Sequence, residues 1–280
     1  MREIEAKTIT EAVKKLCIDA NYYLNDEVLE AFRKCKEKEE SPVAIDILNQ
    51  LEENARISSK GQFPLCQDTG FAVFFVELGS EVMVKGATLP EAINEGVRQG
   101  YTEGYLRKSI VSDPLERKNT GDNTPAAIHL EIVPGDKLKI TILPKGGGSE
   151  NMSEVRMLKP ADGAEGVIDF VLERVSKAGP NPCPPIVVGV GIGGTFEMTA
   201  LVAKKALLRP LGSRNPKPHL AAIEEELLER INKMGIGPQG FGGRCTALAV
   251  HVETFPCHIA SFSAAVNIEC HSHRHKEVVL

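Results

Sequence analysis

The chain has 280 residues, of which 42% are apolar and 25% charged, and its formal net charge is −5. This length allows one large domain or two closely packed ones around a sizeable core. There is no long basic block to point to nucleic acid and no apolar stretch of membrane-spanning length, and Met1-Arg2-Glu3-Ile4-Glu5 is not a signal peptide, so the cytoplasm is the expected location.

The first third reads as helical. Thr8 and Glu11 form a candidate capping box ahead of Ala12, Val13, Leu16 and Cys17. Asn25 and Asp26 open a second helix with Val28, Leu29 and Phe32 inward. Ser41-Pro42 is an N-cap followed by proline in the first helical position, and that third helix carries Ala44, Ile47, Leu48, Leu51 and Ala55 on one face. Residues 1–58 are therefore expected to form a helical cap, and residues 59–280 an α/β part.

The pattern changes at Gln62. Residues 71–76 are a buried-strand run directly after Gly70, and Thr88-Leu89-Pro90-Glu91 is a second capping box. Residues 128–133 and 137–143 alternate and predict a hairpin around Pro134-Gly135-Asp136. Residues 163–177 read as a helix, and residues 186–190 as a buried strand running into Gly191-Ile192-Gly193-Gly194-Thr195 and a further helix. An amphipathic helix over 217–234 ends at Gly235, and strands are expected over 245–253 and 264–270. The fold class is α/β: an N-terminal helical segment, then a mixed-sheet domain.

Seven cysteines with no disulfide-framework spacing fit a reducing compartment. Cys17, Cys35 and Cys245 read as small core residues, and Cys257 lies in a loop before His258. Cys66, Cys183 and Cys270 differ from these. They sit in the polar, glycine- or proline-marked contexts Cys66-Gln67-Asp68-Thr69-Gly70, Asn181-Pro182-Cys183-Pro184-Pro185 and Cys270-His271-Ser272-His273-Arg274. Three thiolates can hold three irons of a 4Fe–4S cluster and leave the fourth open as a Lewis acid, the arrangement of a hydro-lyase rather than an electron carrier.

Three other segments carry polar chemistry. Residues 107–125 gather Arg107, Asp113, Arg117, Asn119, Asp122, Asn123 and Thr124, read either as an arginine fork for a carboxylate or as a solvated loop. Lys145-Gly146-Gly147-Gly148-Ser149-Glu150-Asn151 follows a strand and offers a backbone cradle for an anion, or a flexible strand end; it lacks the spacing of a P-loop. Gly189-Val190-Gly191-Ile192-Gly193-Gly194 has the bare spacing of a dinucleotide fingerprint, but residues 209–211 carry no acidic side chain, and it is read as a tight strand–helix turn near Cys183. The alternation of His271, His273 and His275 fits either a zinc site or a strand with one solvated side.

Together these segments resemble the class I (iron–sulfur) fumarate hydratase family, and the whole chain resembles its separate alpha subunit. The matching pieces are CQDTG at 66–70, LRKS at 106–109, DPLERKNTGDNTP at 113–125, KGGGSEN at 145–151, NPCPP at 181–185, GIGGT at 191–195, PQGFGG at 238–243 and CHSHRH at 270–275. L(+)-tartrate dehydratase alpha chains share this framework. The resemblance implies that Cys66, Cys183 and Cys270 bind a 4Fe–4S cluster. It also implies that Gln67, Asp68, Arg107, the Gly148-Ser149 backbone and His258 face the substrate, with Asn151 on the same rim. Asp68 and His258 are then the catalytic candidates. A separate beta subunit is expected to supply further basic residues and the catalytic base within a hetero-oligomer. The implied reaction is reversible hydration of fumarate to (S)-malate, a tricarboxylic acid cycle step; tartrate dehydration and a non-enzymatic redox subunit with Cys257 as fourth ligand are the alternatives.

Overall fold

The computed structural model describes residues 1–280. In chain order the elements are β1 (Arg2–Glu5), α1 (Ala6–Tyr22), α2 (Asp26–Lys38), α3 (Pro42–Ser59), β2 (Phe71–Gly79), β3 (Val82–Lys85), α4 (Leu89–Glu103), β4 (Ala127–Val133) and β5 (Leu138–Lys145). They continue with α5 (Gly147–Glu150), β6 (Glu154–Leu158), α6 (Gly163–Ala178), β7 (Ile186–Gly193), α7 (Phe196–Ala206), α8 (Pro218–Asn232), β8 (Ala247–Phe255), β9 (Phe262–Glu269) and β10 (Lys276–Val279). The α/β class with mixed sheets holds. The chain divides into two compact units: residues 1–24, 55–147 and 274–280, and residues 25–54 and 148–273.

In the first unit a four-stranded mixed sheet runs β10-β5-β2-β4, beside a short parallel pair of β1 and β3. The central strand β2 is buried over residues 72–76, which explains its unbroken apolar run. Helices α1 and α4 pack against each other, and Ile9, Val13, Ile93, Tyr101, Phe74, Ile140 and Ile142 share one core. Each such large side chain taken from water contributes about 1.5–3 kcal/mol. Two sequence expectations fail here. Strands β4 and β5 do not form a hairpin; β2 lies between them, parallel to β4 and antiparallel to β5. The turn after β2 inserts into the 134–137 loop, where the Ser80 and Glu81 amides donate to Val133 and Gly135. Gly79 permits this, since a Cβ there would come 2.4 Å from the Gly135 oxygen. Helix α1 begins two residues before Thr8, with Glu5 at its N-cap, so the Thr8 box does not form. The Thr88–Glu91 box on α4 does form, and so does the Ser41 cap on α3, where the Ala44 amide donates to the hydroxyl at 3.3 Å.

The second unit has the sheet β6-β9-β7-β8, with β7 parallel to β8 and antiparallel to β9. Alternate residues of β7 face opposite layers. Val188 and Val190 join the core of Val167, Phe170, Val171, Leu227 and Ile231 from α6 and α8. Gly189 and Gly191 face α7, where added Cβ atoms would come 2.2 Å from the Ala203 oxygen and 2.4 Å from the Thr199 oxygen. The glycines of the apparent fingerprint thus serve close helix–sheet packing. Their turn into α7 lies at the end of β7 away from Cys183, because eight strand residues span about 26 Å; the expected nearness to Cys183 is not found. Cys35 on α2 and Cys245 before β8 form a disulfide with a Cα–Cα distance of 5.7 Å. That corrects their reading as separate core thiols. No helix is long and apolar enough to cross a membrane.

Candidate active site

In the first unit, Cys66 is half-buried at the start of a turn leading into β2, and its sulfur lies 3.4 Å from Gln67 Oε1. Three consecutive carbonyls of this turn are bound from behind. Arg274 donates from its guanidinium to the Asp68 oxygen at 2.7 Å. The Tyr101 hydroxyl lies 2.8 Å from the Thr69 oxygen and 3.0 Å from the Gly70 oxygen. Asn123 donates to the Gly70 oxygen at 3.2 Å and accepts the Ser109 amide at 2.7 Å. Burial pushes the Tyr101 phenol well above its ordinary range, so it remains a neutral donor. Gly70 has φ +79°, and a Cβ there would meet the Lys145 backbone at 2.8 Å.

The anion that the glycine run approaches is internal. Asp68 accepts the Gly147 amide on one carboxylate oxygen at 2.8 Å and the Gly70 amide on the other at 3.0 Å. Gly146, Gly147 and Gly148 do not take positive φ, and α5 begins within the run. The polar loop 107–125 is also largely self-organising. Asp113 accepts the Leu115 and Glu116 amides, Asn119 donates to the Lys108 carbonyl, and Asp122 binds Thr124 and Arg98. Arg107 is exposed, and its carbonyl accepts the Thr69 hydroxyl at 3.1 Å. The loop's carboxylates and amides hold its own backbone and do not line up behind an arginine fork.

In the second unit, Cys183 is exposed and adopts φ +56°, an unusual conformation for a non-glycine residue and one that recurs at functional sites. Its amide donates to the Pro180 carbonyl at 3.0 Å, and its carbonyl accepts the His271 amide at 3.2 Å. Gln239 donates to the Pro184 carbonyl from both its backbone, at 2.7 Å, and its side chain, at 2.8 Å. Val187 pairs with Glu269, so antiparallel β7 and β9 bring Cys183 and Cys270 to one end of the sheet. The 148–151 segment is at the same end: Asn267 donates to the Glu150 carboxylate at 3.0 Å, and Gly148 lies against the Asn181 carbonyl. Ser149 is buried, whereas Asn151 is exposed. His258 and Cys257 are both exposed in the loop between β8 and β9, at the opposite end of the sheet. An eight-residue β9 separates them from Cys270 by about 25 Å.

The structure sorts the seven cysteines by chemistry. Cys17 is fully buried, which pushes its thiol far up and leaves it inert. Cys35 and Cys245 are bonded to each other. Cys257 stands alone with His258. Cys66, Cys183 and Cys270 carry thiols at the ends of rigid strands, exposed or half-buried, and this donor set fits three-thiolate ligation. Behind the Cys66 turn, Arg274 is 2% exposed and its Nε and Nη1 groups have no hydrogen-bond partner, so its one side-chain bond is the one to the Asp68 carbonyl. Sequence reading passed over Arg274 and Tyr101. An arginine inside a histidine run was the available signal for the first; Tyr101 read as an ordinary helical core residue. Residues 271–275 are not a strand with a solvated side. His273 is fully buried, and His271 meets Gln239 at 3.1 Å.

Each unit thus carries candidate thiol ligands on an α/β scaffold: Cys66 in the first, Cys183 and Cys270 in the second. Residues 10–279 match the family described as Fumarate hydratase (Fumerase), and the chain belongs to that family of hydro-lyases. It is 42% identical over 276 residues to a Methanocaldococcus jannaschii protein provisionally named L(+)-tartrate dehydratase subunit alpha, with 95% of each chain covered. It is 34% identical over 270 residues to the L(+)-tartrate dehydratase subunit alpha of Escherichia coli K12, covering 95% of this chain and 88% of that one.

Proposed function

We propose that this chain is the alpha subunit of a class I fumarate hydratase, which interconverts fumarate and (S)-malate as a cytoplasmic step of the tricarboxylic acid cycle. The observation carrying the reading is the sorting of the cysteines: Cys66, Cys183 and Cys270 carry accessible thiols, and the other four are buried, bonded or remote. Those three would hold a 4Fe–4S cluster, which when bound supplies a Lewis-acidic iron for the departing hydroxyl. Arg107, exposed and outside any ion pair, would grip a substrate carboxylate. Gln67 and Asp68 would orient the substrate, with Asp68 kept in place by the Gly70 and Gly147 amides. Gly148, Ser149 and Asn151, at the Cys183–Cys270 end of the second unit, would form the rim. Such fixed donors reduce the entropic cost of reaching the transition state. His258 would reach a substrate at Cys183 and Cys270 only when contributed by another chain. A beta subunit would complete the site and supply the base.

A second reading, tartrate dehydration, is favoured by the names of both relatives above. The redox reading is weakened because Cys257 lies at the far end of the sheet from Cys183 and Cys270. The test is anaerobic fumarate formation from malate, followed by absorbance, with iron-reconstituted chain alone and with its candidate beta subunit. Turnover only with the partner bears out the proposal. Turnover of L(+)-tartrate and not malate replaces it with the second reading, and neither activity from a cluster-loaded complex defeats both.

A further inference from the structure

The Cys35–Cys245 disulfide lies outside the proposed site and has its own surroundings. It joins α2 to the segment before β8 across 210 residues of sequence, within the second unit. Cys35 is half-buried, whereas Cys245 is 4% exposed. Both line an open cleft of about 260 Å³. Lys34, Lys38 and Arg244 contribute cations to its wall, and Glu27 and Glu30 contribute carboxylates. Two of the cations have acidic neighbours: Lys34 is 3.7 Å from Glu30, and Arg244 is 2.7 Å from Glu40.

The two sulfurs are also held together by something other than their own bond. Glu39, one turn beyond Cys35, is 8% exposed, and its carboxylate accepts the Arg244 amide at 2.7 Å and the Cys245 amide at 3.3 Å. It also accepts the Glu40 and Ser41 amides. This clamp keeps residue 245 beside α2 whatever the state of the sulfurs. Reduced thiols would stay adjacent, and closing the bond would be an intramolecular step with a small entropic cost.

From the cleft, the half-exposed sulfur and the clamp, we infer that Cys35–Cys245 is a reversible dithiol–disulfide site that exchanges with an anionic low-molecular-weight thiol through this cleft. An external thiolate attacks Cys35 Sγ, breaking the Sγ–Sγ bond, forming a mixed disulfide at Cys35 and releasing Cys245 as thiolate. A second external thiolate attacks the outer sulfur of the mixed disulfide and releases Cys35. In sum, two external thiols give up two electrons and two protons and become one external disulfide, while Cys35 and Cys245 gain both. The same external disulfide is the oxidant in reverse. Lys38 in the cleft wall favours the approach of an anionic reagent. The bond tethers α2 in the oxidised state, and reduction leaves the Glu39 clamp and the Arg244–Glu40 ion pair.

The test uses the full chain, equilibrated anaerobically with reduced and oxidised glutathione in varied ratio, quenched with N-ethylmaleimide and read by peptide mass spectrometry. The linked 35–245 peptide should rise and fall reversibly with the ratio, and the oxidised protein should melt roughly 5 °C higher. Cys245→Ser should trap glutathione at Cys35, whereas Cys35→Ser should leave Cys245 uncaptured. Lys38→Gln should slow reduction by glutathione about twofold and leave reduction by neutral mercaptoethanol unchanged. A linked peptide that never forms, or that yields to reductant only after unfolding, overturns the inference. Equal capture at Cys245 overturns the route through Cys35. These readouts are separate from activity and from the peptides of Cys66, Cys183 and Cys270.

Discussion

The turns that carry Cys66 and Cys183 are fixed by different kinds of group. The Cys66 turn is held by side chains distant in sequence: Tyr101, Asn123 and Arg274 bind the carbonyls of residues 68–70. The Cys183 turn is held mainly through backbone groups, with prolines on both sides, a left-handed Cys183, a local bond to Pro180 and bonds from the distant amides of Gln239 and His271. Gln239 and His271 add side-chain support there. Both turns therefore depend on residues far along the chain, the first mainly through side chains and the second largely through backbone groups at residues 239 and 271.

The largest expected effect concerns the thiols themselves. Cys66→Ser and Cys183→Ser should each abolish retention of reconstituted iron despite their different supports, and Cys257→Ser should leave iron content unchanged; loss of iron in Cys257→Ser would break the sorting of the cysteines. Next, Arg274→Met removes a charge-assisted bond to Asp68 and should cost about 1.5–3 kcal/mol by chemical denaturation, with faster amide exchange over 66–70 and none of it at 181–185. Tyr101→Phe leaves two buried carbonyls without their shared donor and should cost about 1–2 kcal/mol. Gln239→Ala should cost about 1 kcal/mol and loosen only the Cys183 turn; if it loosens residues 66–70 equally, the contrast between the turns fails.

The smallest effect is one of pH. Burial alone would raise the Glu39 carboxyl, but four backbone N–H donors outweigh it and hold the group below the ordinary carboxylate range. A carboxyl depressed in the folded state stabilises above its unfolded value, and that contribution is lost as pH falls through the folded one. Stability should thus decline below about pH 4.5, and Glu39→Gln should flatten this acid limb in denaturant titrations. An unchanged limb would remove Glu39 as its source.

Much of the fold was legible because periodicity and caps are local. The Thr88–Glu91 box, the helix from Gly163 and the buried run at residue 186 all appear where their residues predict them. The hairpin over 128–143 failed because alternation gives a strand's faces but not its neighbour, and β2 takes the place between β4 and β5. The three candidate thiols were legible from their polar, proline- and glycine-marked surroundings. The Asp68 carboxylate on the Gly147 amide, the Cys35–Cys245 bond and the remoteness of His258 were not. Each depends on pairings 79 to 210 residues apart or on strand direction, which spacing along the chain does not encode.

Strand β10 completes the first unit's sheet by pairing with β5, and Arg274 just before it binds the Asp68 carbonyl. Both are synthesised after the whole of the second unit. On a translating ribosome the region begun first is therefore finished last. Its sheet waits with the β5 edge open while residues 148–273 emerge, and the Cys66 turn gains its arginine only when translation has passed residue 274.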